Sequence, residues 1–149
     1  MAVRISINNS EKLSKIIQEI TGVRLTSPIT GITTDSRDCE PGDLYIALLG
    51  DRSNGHHYLQ DVDAMDASAA LISERNSNQE LNLYQIIVED TRKTLGLSAN
   101  KWRNIFNIPV IAITGSNGKT STKELLYHVL KDKYNVHATE GNYNTSIGL

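Results

Sequence analysis

One junction constrains this chain more than anything else in it. Val110-Ile111-Ala112-Ile113 runs directly into Thr114-Gly115-Ser116-Asn117-Gly118-Lys119-Thr120-Ser121, and an amphipathic stretch starts near Lys119. The first run is mostly β-branched without polar alternation, which predicts a parallel strand covered on both faces. In the last stretch Leu125, Leu126, Val129, Leu130 and the aliphatic stem of Lys133 share one helical face. A strand turning through glycines into a helix is the context that a phosphate cradle requires. Gly115 and Gly118 let the backbone bend until several N–H groups face inward, and the helix N-terminus adds roughly half a positive charge. Lys119 can neutralise β- and γ-phosphate oxygens, while the Thr120 hydroxyl can complete a Mg²⁺ shell.

The general phosphate-loop pattern would place glycine at 113, where this chain has Ile113. Gly-Lys-Thr alone is a common tripeptide, and a plain strand-to-helix turn is the competing reading. The strand before, the helix after and the additional Gly115 favour the phosphate loop.

Upstream, short apolar runs alternate with helical stretches. Leu13, Ile16, Ile17 and Ile20 recur at helical spacing behind Ser10, a candidate cap, and Thr21-Gly22 stops that helix. Ile32–Arg37 leads into a turn at Glu40-Pro41-Gly42, and Leu44–Leu49 reads as a strand ended by Gly50. Gly55-His56-His57-Tyr58 opens a second helix reaching about Asp66, and Ala69–Ile72 and Tyr84–Val88 read as buried strands. Asp90 or Thr91 caps a third helix with Leu95, Leu97 and Trp102 on its apolar side, broken at Asn107-Ile108-Pro109. Asn135–Thr139 is a further candidate strand. The expected fold is α/β: a small domain in residues 1–88, a helix and linker in 89–108, and the truncated start of a Rossmann-like phosphate-loop domain in 109–149. A doubly wound domain needs more strands than 109–149 can supply, so the chain is expected to be the N-terminal piece of a longer protein.

Composition narrows the function classes. With 15 Lys and Arg against 17 Asp and Glu, the net charge is −2, which argues against a general nucleic-acid binder. The single Cys39 excludes an intrachain disulfide and reads as a small buried residue. No apolar run approaches the ~20 residues of a membrane helix, and the N-terminus lacks a signal-peptide stretch, so a soluble cytoplasmic protein is expected. Adjacent His56 and His57 diverge and have no further ligand at metal spacing, so they read as loop residues. Trp102 reads as core, and Asp61, Asp63 and Asp66 as a solvated helix face.

The octapeptide Thr114–Ser121, shifted from the general loop, resembles the Mur ligases, ATP-dependent amide-forming enzymes of peptidoglycan synthesis. Thr34-Asp35-Ser36-Arg37, Pro41-Gly42-Asp43-Leu44-Tyr45-Ile46-Ala47-Leu48, Gly50 and Gly55-His56 resemble the family's N-terminal motifs, and Gly141–Gly148 a later one. Ser116 and Lys123-Glu124 favour the branch that joins D-alanyl-D-alanine to UDP-N-acetylmuramoyl-tripeptide. The resemblance implies three domains, of which the first binds the UDP-sugar and the second is the ATPase, and a monomer acting through an acyl phosphate. It implies that Gly115, Ser116, Asn117, Gly118, Lys119, Thr120 and Ser121 hold ATP, with Lys119 catalytic and Thr120 on Mg²⁺. It further implies that Thr34, Asp35, Ser36 and Arg37 bind the UDP-muramoyl substrate, and that Asn144 and Thr145 approach the γ-phosphate or that substrate. Local capping competes as a role for Asp35-Ser36-Arg37, and a polar turn for Asn144-Thr145. The family's remaining metal ligands, adenine pocket and C-terminal domain would lie beyond residue 149. The fragment alone would then be inert, with a sheet edge lacking a neighbour after about residue 108. A sister ligase, a folylpolyglutamate synthase and a non-catalytic UDP-sugar-binding module are the alternatives.

Overall fold

A computed structural model describes residues 4–50, 53–75 and 81–139. The chain divides into two compact units, Met1–Ile105 and Phe106–Leu149.

In the first unit, strand β1 (Ile5–Ser6) precedes helix α1 (Ser10–Thr21). The cap of α1 is Asn9 rather than Ser10: the Asn9 side chain accepts from the Lys12 N–H. Ser10 instead accepts from the Ile29 N–H at 2.6 Å, tying the helix start to the chain entering the sheet. Gly22 ends α1 in the left-handed conformation, φ 73°, donating back to the Gln18 carbonyl.

Strands β2 (Gly31–Thr33), β3 (Leu44–Ile46), β4 (Ala69–Ile72) and β5 (Tyr84–Ile87) follow, with helices α2 (Leu59–Ala64) and α3 (Thr91–Asn104). The sheet order is β1-β2-β3-β4-β5, with β1 antiparallel to β2 and every other pairing parallel. The run expected as a strand to Leu49 pairs regularly only through Ile46; Leu49 then makes an isolated antiparallel bridge to Asn54. A 3₁₀ turn, Gly55–Tyr58, precedes α2, which ends at Ala64, before Asp66.

Strand periodicity sorts the core into two layers. Leu44, Ile46, Ala69, Leu71 and Ile86 meet Leu13 and Ile17 of α1, with Leu95 and Trp102 of α3 packed alongside. Tyr45, Ala47, Ala70 and Ile72 point the other way and meet Leu59 and Val62 of α2, together with Cys39. Both faces of β3 and β4 are therefore covered, which is why these strands read as unbroken apolar runs. Each large side chain so buried contributes about 1.5–3 kcal/mol. Trp102 packs half-buried against the first layer, and Cys39 is buried, which pushes its thiol up to about 11.

The apolar side expected for α3 is only partly right. Leu97 is exposed, and the buried positions include Thr91, Thr94 and Ser98. Their hydroxyls donate to the Ala47, Asp90 and Thr94 carbonyls respectively, so small polar residues are buried without an unsatisfied group. Asp90 caps the helix through the Lys93 N–H.

In the second unit, helix α4 spans Lys119–Leu130. The strands expected at Val110–Ile113 and Asn135–Thr139 do not form, and neither segment has a β partner among the described residues. Val110 and Ile111 are exposed, as are Leu125 and Val129 on α4. A parallel strand takes its hydrogen bonds and cover from neighbours, so apolar pattern without a neighbour yields extended chain and no sheet.

Among the described residues no helix is long and apolar enough to cross a membrane.

Candidate functional site

The chain carries two candidate sites, one in each unit. In the second unit, Gly115 sits at φ 151° and Gly118 at φ 76°, conformations that side-chain-bearing residues rarely adopt. Gly118 is the N-cap of α4 and brings no side chain to cap it. Lys119, the first helical residue, folds back so that its ammonium donates to the Gly115 carbonyl. Ser116, Asn117, Thr120 and Ser121 are exposed around this bend. The loop thus places a cation, hydroxyls and a helix N-terminus together on one exposed bend of backbone, the donor set that a polyphosphate needs. Lys123 donates to the Thr139 carbonyl at 2.6 Å and pairs with Glu124 at 3.1 Å. Asn144 and Thr145 lie outside the described residues.

In the first unit, β2, β3 and β4 are parallel, so the segments following them share the carboxyl edge of the sheet, where open α/β sheets bind ligands. After β2 comes Thr34 and then a 3₁₀ turn, Ser36–Asp38, capped by Asp35. The Asp35 carboxylate accepts from the Arg37 N–H and forms a fork with the Arg37 guanidinium, at 2.8 and 2.5 Å. That pairing holds the Asp35 carboxyl below the usual carboxylate range, with burial acting in the opposite direction. The Arg37 side chain is 85% exposed and presents its other face to solvent. The structure shows the local capping, and it leaves the Arg37 guanidinium on the surface.

Other residues near this edge were named in the sequence without a binding role. Tyr45, fully buried, donates its hydroxyl to the Gly55 carbonyl at 3.0 Å. Burial pushes its phenol up to about 12. A Cβ on Gly55 would lie 2.8 Å from the Leu48 nitrogen and 3.0 Å from both the Ala47 Cα and the Tyr45 hydroxyl. Gly55→Ala is accordingly expected to cost about 1–3 kcal/mol, read as a lower urea midpoint at unchanged slope, because two of the three obstacles are backbone. His56 is buried and bonded through both ring nitrogens, whereas His57 is exposed. Asp61 and Asp66 are exposed, and Asp63 accepts from the Asn82 N–H.

At the opposite, amino end of β3, Asp43 is buried completely. Its carboxylate takes the Arg4 Nε at 2.7 Å and Nη2 at 2.8 Å, the Glu40 N–H at 3.0 Å and the Thr30 hydroxyl at 3.2 Å. The Pro41-Gly42-Asp43 run is therefore a turn clamped by a buried ion pair. Among the described residues no three His, Cys, Asp or Glu side chains gather as a metal site.

Comparison with known proteins bears on both sites. Residues 28–103 match the family described as Mur ligase family, catalytic domain, and residues 113–149 match the Mur ligase middle domain. The UDP-N-acetylmuramoyl-tripeptide–D-alanyl-D-alanine ligase of Escherichia coli is 36% identical over 145 residues, covering 97% of this chain and 31% of the relative. That of Synechocystis is 36% identical over 137 residues, covering 92% and 30%. The crystal structure of MurF from Acinetobacter baumannii superposes with a TM-score of 0.83 at 32% identity, over 91% of this chain and 31% of that one. The MurF ligase of Thermotoga maritima, solved in complex with ADP, gives a TM-score of 0.71 at 33% identity, over 78% and 27%. The chain spans about 30% of the length of the curated relatives it matches. Two family models in sequence order, one over the Arg37 edge and one over the Lys119 loop, leave one assignment: the chain belongs to the Mur ligase family.

Proposed function

We propose that this chain supplies the substrate-binding and nucleotide-phosphate-binding parts of an ATP-dependent amide ligase that adds D-alanyl-D-alanine to UDP-N-acetylmuramoyl-tripeptide. The observation that carries the reading is the Gly115–Ser121 loop at the head of α4, in a segment matched by the Mur ligase middle domain. Relatives named for the D-alanyl-D-alanine reaction match at 36–38% identity over 81–97% of this chain. A diaminopimelate-adding relative from Aquifex aeolicus matches over 68%.

The chemistry suits the residues. A carboxylate is a poor acylating agent; transfer of the γ-phosphoryl group of ATP to one of its oxygens creates a leaving group. The incoming amine then forms the amide as phosphate departs, leaving ADP and phosphate as products. Gly115, Ser116, Asn117, Gly118 and Ser121 would cradle the phosphates, and Lys119 would offset charge on the group in flight. Thr120 would offer its hydroxyl to Mg²⁺, which would spread the remaining phosphate charge. Residues 1–88 would hold the UDP-substrate, with Thr34, Asp35, Ser36 and Arg37 at its anionic end, and Asn144 and Thr145 would complete the approach to the phosphate. The ATP domain would begin at 109, with 89–108 between the two. The reaction would run on a monomer in the cytoplasm, where ATP is available.

The test is ADP release by the protein at the full length of its relatives, with UDP-N-acetylmuramoyl-tripeptide present and D-alanyl-D-alanine added or withheld. Turnover that requires the dipeptide is the expected result. Binding of the UDP-substrate without turnover would make the chain a sugar-nucleotide-binding module instead.

A further inference from the structure

The histidine at the carboxyl edge is used differently from any other residue there. The His56 side chain is 4% exposed, yet it lies between two loops rather than in either core layer. Its Nε2 accepts from the Ser73 N–H at 2.9 Å, with the Ser73 hydroxyl at 3.2 Å. A backbone N–H can only donate, so Nε2 must carry a lone pair and Nδ1 the proton. Nδ1 then donates to Asn54 Oδ1 at 2.7 Å, which also accepts from the His56 N–H. Asn54 in turn donates to Glu74 Oε1 at 3.0 Å. Ser73 and Glu74 follow β4, whereas Asn54 and His56 follow β3, so the ring ties together the ends of two neighbouring strands. The same turn is held from below by the Tyr45 hydroxyl on the Gly55 carbonyl. It leads through Tyr58 into α2, and α2 packs against the 3₁₀ turn that carries Arg37.

We propose that His56 is a positioning residue for the UDP-substrate site: its ring fixes the Asn54–Tyr58 turn against the end of β4 and so, through α2, sets where Arg37 meets the substrate. The inference rests on the substrate reading above and adds a residue that touches no ligand. The groups facing the ring are Asn54 and His57 from its own turn and Ser73 and Glu74 from the end of β4. Burial lowers the His56 pKa from its ordinary value of 6.5, and the Glu74 carboxylate, 3.9 Å from Nδ1, opposes that only in part. A second ring proton would point at the Ser73 N–H and break the tie. Between the ordinary value and the lowered one, the released turn binds more protons than the tied turn, so the tie weakens as pH falls below about 6.5.

The experiment is steady-state kinetics on the full-length ligase, comparing wild type, His56→Phe and His56→Gln from pH 7.5 to 5.5. Phe fills the volume without an acceptor; Gln keeps an acceptor near the position of Nε2. His56→Phe is expected to raise KM for the UDP-tripeptide about tenfold or more, while KM for ATP and kcat at saturation change less than about threefold. His56→Gln is expected to recover most of the loss. The wild-type KM for the UDP-tripeptide should also rise toward pH 5.5, and His56→Gln should flatten that rise relative to its own value at pH 7.5. The pH comparison needs no His56→Phe protein and stands even if that variant does not fold. Equal KM changes for both substrates, or an identical pH profile in His56→Gln and wild type, would overturn the proposal. A wild type that turns over while every variant matches it removes the role of His56 alone, whereas a wild type that neither binds nor turns over the UDP-tripeptide removes the functional reading and this inference with it.

Discussion

Lys119→Ala is expected to lower ATP-dependent turnover by about a hundredfold to a thousandfold while leaving affinity for the UDP-substrate within about twofold. Removing one preorganised charge partner from a transferring group costs roughly 3–4 kcal/mol of transition-state stabilisation, and each 1.36 kcal/mol is tenfold in rate. Lys119 is suited to this because it opens α4, where the helix N-terminus and the Gly118 turn already favour an anion. Its one described hydrogen bond, to the Gly115 carbonyl, is on the surface, so a phosphate oxygen can replace that partner at little cost. The same exposure means that Lys119→Ala should leave stability within about 0.5 kcal/mol. Single-turnover measurement of ADP formation in the full-length protein separates the lost phosphoryl transfer from slow product release. A variant with wild-type turnover would remove the phosphate role from this loop.

The largest expected loss of stability lies elsewhere. Asp43→Ala should destabilise the first unit by about 3–5 kcal/mol, seen as a fall in urea midpoint of roughly 1–3 M for the 149-residue chain. The carboxylate is fully buried, and it satisfies the Glu40 N–H, the Thr30 hydroxyl and two guanidinium nitrogens of Arg4. Removing it strands the Glu40 N–H and Arg4 Nε, while the Thr30 hydroxyl keeps the Pro41 carbonyl and Arg4 Nη2 keeps Glu40. The Arg4 side chain is only 16% exposed, so water can recover part of the cation but not all of it. In an Arg4→Ala background the further loss on removing Asp43 should be smaller, and the difference measures the pair itself. Additive losses would show that Asp43 acts through the turn rather than through the ion pair. Gly31 reports the same crowding from the sheet side, since a Cβ there would lie 2.6 Å from Asp43 Oδ1.

Much of the first unit was legible because its elements announce themselves locally. Ala69–Ile72 is apolar at every position and forms β4 with the same bounds, since a strand covered on both faces has no reason to alternate. Asp90 caps α3 and Gly22 ends α1, because caps and left-handed stops depend on a few neighbouring residues. Leu97 was misread because apolar character was taken ahead of spacing: two positions from Leu95, it lies about 200° around the helix, away from the side that carries Leu95 and Trp102. The face chosen here carries Thr91, Thr94 and Ser98, whose small hydroxyls are satisfied within reach and allow α3 to lie close. Val110–Ile113 was misread for the opposite reason: its composition is that of a buried strand, but pairing is a property of two segments.

The candidate sites divide along the same line. The Gly115–Ser121 loop is contiguous, so its glycines, lysine and hydroxyls were readable as a unit, and it leads into α4 as expected. The carboxyl edge of the first unit is assembled from the ends of three parallel strands. Arg37 could be named from its motif, but its fork with Asp35 only appears in three dimensions.

Local chemistry alone determined the alternation of strands and helices in the first unit, the Gly22 stop, the Asp90 cap and the Gly115–Ser121 bend, since each depends on residues within a turn or two of one another. Tertiary structure alone decided that Asp43 would bury its charge against Arg4, 39 positions away, and that His56 would join β3 to β4 across 17. A buried polar group must find its partner wherever the fold brings one, and sequence spacing carries no record of that distance.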